Sequence, residues 1–271
     1  MAGLAVVGNS HVFALLKGYE ERVRTGAAAA PPGLEVCFML VRERDALIAK
    51  TTPAGFVVEE AASWEEPLAD LLEEADHVAL QWDGNQMNAR ALISGGEDFD
   101  VILPGADGEA DRPVDSLEIV PYAVVEEFSR ASLAHNPELA RIMELCRSGR
   151  PRRLAILGPP PPLPTAAVRE RLAHEEFFVQ RATQLGVPLE EVPIVRDDLR
   201  CRLWQILSDG YRAFAADHGA VFLESPSAAV DESGVLKEEF WGGDATHANI
   251  HYGACYLTRV FEWIPEEGQG D

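Results

Sequence analysis

Short apolar runs recur along the chain, two of them ending at glycine, with amphipathic stretches of helical period between them. The runs are residues 4–7, 36–41, 77–82, 154–157 and 220–223. Each is too short for a buried helix, and consecutive apolar side chains suit strands covered on both faces. Val12, Leu15, Leu16, Tyr19 and Val23 follow the period of a helix that begins after Ser10 and stops near Gly26. Residues 63–75 set Trp64, Leu68, Leu71 and Leu72 among acids, which predicts an amphipathic helix with Ser63 as its N-cap. Further helices are predicted over 199–218 and 248–261.

Strands alternating with helices predict βαβ units, hence a parallel sheet with helices on both faces. Residues 94–153 are longer than one crossover needs. Within them 95–113 reads as a Gly- and Asp-rich surface loop and 123–146 as helical. The prolines at 159–162 suit a stiff exit from the fourth strand. No internal repeat or domain-sized linker is visible, so 1–271 is read as a single domain with a long insertion at about 94–153.

Charge narrows the partners. With 23 basic against 45 acidic residues the net charge is −22, a field that repels nucleic-acid backbones and anionic lipid surfaces. No stretch approaches the ~20 apolar residues of a membrane-spanning helix, and no secretory leader is recognisable. Cys37, Cys146, Cys201 and Cys255 are scattered without a CxxC pair, which fits free thiols and a cytoplasmic location.

Three short segments carry candidate chemistry. Gly8-Asn9-Ser10-His11 directly follows the first strand, and in an open parallel sheet ligands bind beyond the strands' carboxyl ends. A serine there lies near a helix N-terminus, where developing negative charge is favoured. Asp244-Ala245-Thr246-His247 can fold the carboxylate onto one ring nitrogen and leave the other as a base, which is useful if a serine lies within reach. Asp83-Gly84-Asn85-Gln86, at the end of the third strand, offers an amide that can donate to an oxyanion. Each has a plainer alternative: Ser10 or Asp244 as a helix cap, Asn85 as a turn residue.

In order and spacing the three segments resemble the blocks of the SGNH (GDSL-like) serine hydrolases. Gly8-Asn9-Ser10 stands where that family has its serine block, with Asn9 in place of the usual Asp. Asn85 aligns with the catalytic amide of the Asn block, flanked by Asp83 and Gln86 instead of the usual Gly and Asp. Asp244 and His247 match the last block, with Asn249 and Gly253 trailing it. The glycine block has one poor candidate, Gly55. The resemblance implies a three-layer, flavodoxin-like α/β fold with a five-stranded parallel sheet and no cofactor. It further implies a catalytic Ser10, His247 and Asp244, and an oxyanion hole of the Ser10 N–H and Asn85. The substrate would be a small-molecule ester, small or carbohydrate-linked.

Other readings stay open. The same triad could transfer its acyl group to a sugar or other alcohol instead of water. His247 and His251 are four apart and could share a helix face as metal ligands with Asp244, although no H-E-x-x-H is present. A non-catalytic binding module is the third. His11 could line the site or face solvent, and Trp241 is the aromatic best placed to touch substrate.

Overall fold

The computed structural model describes residues 2–27, 30–52, 55–82, 92–94, 99–105 and 117–264. Its main sheet is built on β1 (Ala2–Gly8), β2 (Leu34–Val41), β3 (Ala46–Thr52), β4 (Gly55–Ala61), β5 (His77–Gln81), β8 (Arg153–Leu157) and β9 (Val221–Leu223). They lie in the order β4-β3-β2-β1-β5-β8-β9. The stretch β2-β1-β5-β8-β9 is parallel throughout, and each of the five apolar runs falls on one of these strands. The sheet therefore has seven strands and not five: an antiparallel β3–β4 hairpin extends its β2 edge. In this hairpin Val57 and Val58 stay exposed, so no continuous buried run marks it in the sequence.

Alternation along β1 shows the layering. Leu4 and Val6 belong to one core cluster, together with α1 (Ser10–Thr25) and the final helix α8 (Ile250–Trp263). Ala5 and Val7 belong to another, with α2 (Glu65–Glu74), α4 (Pro137–Gly149) and α7 (Asp197–Asp217). Helices thus cover both faces of the sheet, as apolar side chains at consecutive strand positions require. Helix α1 ends where Gly26 takes the left-handed conformation (φ 72°). Trp64, not Ser63, occupies the N-cap position of α2.

Inside 94–153 the chain forms a two-stranded parallel pair, β6 (Phe99–Val101) and β7 (Glu118–Val120), then α3 (Tyr122–Ala134) and α4. The single helix expected over 123–146 is broken. His135 closes α3, and Asn136 caps α4 by accepting from the Leu139 N–H, with Pro137 at its first position. Two helices had no distinct apolar signature in the sequence, α5 (Thr165–Arg171) and α6 (Glu176–Leu185), and both abut the C-terminal loop that carries Asp244 and His247. Among the described residues no helix is long and apolar enough to cross a membrane.

Candidate functional site

Ser10 owes its position to the tight meeting of β1 and β5. The register sets Gly8 opposite Gln81, and a Cβ on Gly8 would come within 1.7 Å of the Gln81 carbonyl oxygen. Only glycine permits that approach. The Asn9 N–H then donates to the same carbonyl (3.3 Å), and the chain turns directly into α1. Ser10 is the first residue of this helix and not its cap, and its side chain is exposed. Its N–H belongs to the first turn, where a helix supplies no acceptor of its own.

The partner side chains arrive from the loop before α8. Helices α1 and α8 run in the same direction and touch backbone to backbone. A Cβ on Gly253 would lie 1.9 Å from the Ala14 carbonyl, and one on Gly18 would lie 2.3 Å from the Ala254 nitrogen. Further along, Arg22 donates to the Ala254 carbonyl (3.0 Å) and to Thr258 Oγ1 (2.8 Å). Both N-termini are therefore held side by side at the carboxyl end of the sheet. His247 Nε2 reaches Ser10 Oγ at 2.9 Å, and His247 Nδ1 donates to Asp244 Oδ2 at 2.8 Å.

Asp244 does not cap the helix; Asn249 does, accepting from the N–H groups of His251 and Tyr252. The other Asp244 oxygen accepts from the backbone N–H of Thr246 (2.9 Å) and of His247 (2.7 Å). Burial works against the charge of Asp244, but these bonds and the His247 ring hold its carboxyl well below the usual range. It is ionised at neutral pH and fixes the tautomer that leaves Nε2 as the basic nitrogen facing Ser10.

The loop is braced from α5 and α6. Glu175 accepts from the Ala245 N–H (2.9 Å), Arg171 donates to the Gly242 carbonyl (3.1 Å), and His174 donates to the Gly243 carbonyl (3.1 Å). Burial pushes the Glu175 carboxyl up against the bond from Ala245, and the Asp244 charge adds to the rise. Trp241 serves this brace: its N–H donates to the Leu236 carbonyl (2.7 Å), and the Arg171 guanidinium lies 5.3 Å over its ring. None of these supports was legible in the sequence, because they act between segments far apart in the chain.

His11 is buried, with 5% of its surface exposed, and its ring centroid is 5.0 Å from that of His247. Burial, and secondarily the neighbouring His247, push its pKa down from 6.5 to about 3 against the pull of Asp244. His247 precedes α8 and directs both nitrogens at Ser10 and Asp244, so it shares no helix face with His251. Among the described residues no group of three or more His, Cys, Asp or Glu side chains is arranged to hold a metal ion.

Asn85 lies outside the described residues. Gly55 pairs with Thr52 on β4, and the register through β3 and β2 sets it level with Gly3. That is the amino end of the parallel strands, opposite Ser10, so its N–H cannot serve a site at Ser10.

No protein-family model matches the sequence, and no curated protein matches it significantly. Among solved structures the chain is similar to the extracellular lipase of Streptomyces rimosus, with 13% identity and a TM-score of 0.49 over 98% of this chain and 100% of that one. It is also similar to a carbohydrate acetylesterase from Sinorhizobium meliloti (12% identity, TM-score 0.43, 97% and 100% covered). A third is phospholipase A1 from Streptomyces albidoflavus (14% identity, TM-score 0.40, 96% and 98% covered).

Proposed function

We propose that the protein is a serine ester hydrolase of the SGNH type that works through an acyl-serine intermediate. One observation carries this reading: His247 bridges Ser10 Oγ and Asp244 Oδ2 at 2.9 and 2.8 Å, joining residues 237 positions apart. A serine, an imidazole and an ionised carboxylate in that order form a relay for nucleophilic acyl transfer.

Ser10 Oγ attacks the ester carbonyl while His247 Nε2 takes its proton. The tetrahedral oxyanion is met by the Ser10 N–H, at a helix terminus that favours negative charge. By resemblance to the family's Asn block, the Asn85 amide is assigned as the second donor. Collapse expels the alcohol, which receives the proton from His247, and leaves an acyl ester on Ser10. Water then attacks that ester and gives its proton to His247. The second collapse releases the carboxylic acid and returns the proton to Ser10. Asp244 stays ionised throughout and stabilises the imidazolium. The substrate is assigned as a small or carbohydrate-linked ester.

The test is hydrolysis of p-nitrophenyl esters of increasing chain length, combined with labelling by a serine-directed phosphonate. Wild type should turn over and take one label, on Ser10, while Ser10→Ala should fold, lose turnover and take none. Near-wild-type turnover in Ser10→Ala would overturn the assignment.

A further inference from the structure

At the amino ends of β8 and β9, away from Ser10, a cleft of about 480 Å³ is lined by Arg147, Arg150, Arg152, Arg153, His218 and Trp263. Among the described residues no carboxylate lines it, in a chain with 45 acids against 23 Lys and Arg residues. Arg152 pairs with Asp76 (3.1 Å), and Arg153 donates to the Trp263 carbonyl (3.0 Å). Arg147 and Arg150 have no carboxylate partner among the described residues. The Trp263 indole N–H is buried and also lacks an acceptor there. Arg150 is held at φ 54°, the one positive φ of a non-glycine residue among those described. That is the left-handed C-cap conformation that ends α4, with the Arg150 N–H donating to the Cys146 carbonyl, and glycine adopts it without cost.

We infer that this cleft binds a soluble phosphate-bearing small molecule. Guanidinium groups match phosphate oxygens in pairs and carry a charge at every physiological pH. The volume falls within the ~300–1,000 Å³ typical of small-ligand sites. An extended anionic bilayer would meet the chain's negative field over a wide face, whereas a small anion within the cleft meets the arginines that line it.

Pyrophosphate titrated calorimetrically into the full chain at low salt is the probe. Saturable one-site binding is expected, weakening as salt rises. Arg147→Gln keeps a helix-compatible side chain, and Arg150→Gly suits the local backbone, so both should fold. Each should weaken binding by at least about tenfold, since each removes a charge-assisted contact to the anion. No binding, or equal binding by wild type and both variants, would overturn the site. Co-sedimentation with phosphatidylcholine vesicles containing phosphatidic acid, without binding of pyrophosphate, would overturn the soluble ligand. Each readout is independent of ester hydrolysis.

Discussion

His11 links the architecture of the site to a measurable dependence on pH. In the folded chain its pKa is pushed from 6.5 to about 3, first by burial and then by His247, with Asp244 opposing. Between these values the unfolded chain binds a proton that the folded chain refuses, so stability rises with pH across the window and is lost as pH falls below about 6.5. At pH 5 folding must strip that proton at a cost of about 2 kcal/mol, while at pH 8 the cost is close to zero. In a chain of this size 1 kcal/mol moves the melting temperature by roughly 2–4 °C.

The perturbation is His11→Gln, which keeps a polar side chain of similar reach and removes the titration. Both proteins are melted at pH 8 and at pH 5, followed by circular dichroism. Other acid-sensitive groups, Asp244 among them, act in both and cancel in the difference. Between the two pH values wild type should lose about 4–8 °C more than His11→Gln. Equal losses would show that His11 is protonated in the fold at pH 5 and that its burial beside His247 is misjudged. In the proposed mechanism a neutral His11 places no positive charge against His247 as that ring takes the serine proton.

Two further outcomes test how the site is held. Gly253→Ala drives a Cβ into the Ala14 carbonyl at 1.9 Å, so α1 and α8 must separate and lengthen the 2.9 Å contact between His247 and Ser10. A misplacement of about 1 Å should lower kcat roughly 100-fold, and unchanged kcat would remove the glycine contact from the mechanism. Asn85→Ala should lower kcat by ~10²–10³ with KM nearly unchanged if the amide donates to the oxyanion. A lower melting temperature at constant kcat would instead leave Asn85 a turn residue.

The elements legible in the sequence are those whose neighbours on both faces are apolar. The runs at 4–7, 36–41, 77–82, 154–157 and 220–223 each lie on a parallel strand, because a strand between two helical layers must be apolar at every position. The β3–β4 hairpin escapes that logic. It sits at the sheet edge, where Lys50, Val57, Val58 and Glu59 face out, and mixed character there reads as loop. Helices α5 and α6 are missed for a related reason. They are short, and part of their role is to direct Arg171, His174 and Glu175 at a loop about 70 residues downstream, which leaves a thin apolar stripe.

The site divides along the same line. Residues that act within one local segment are visible in sequence, because the spacing of Asp244 and His247 alone permits one to bond the other's ring. The approach of Ser10 to that pair is a tertiary fact, and the residues that set it are glycines. Gly8 lets β1 close on β5, while Gly18 and Gly253 let α1 close on α8, and no periodicity distinguishes them from the glycines of turns such as Gly26. A glycine with backbone atoms inside 3 Å of its missing Cβ fixes a distance between elements. The 2.9 Å contact between His247 and Ser10, residues 237 apart, can be no more stable than those distances. Substituting Gly253 therefore probes the chemistry of Ser10 more sharply than substituting exposed neighbours such as Phe13, whose side chain constrains neither helix.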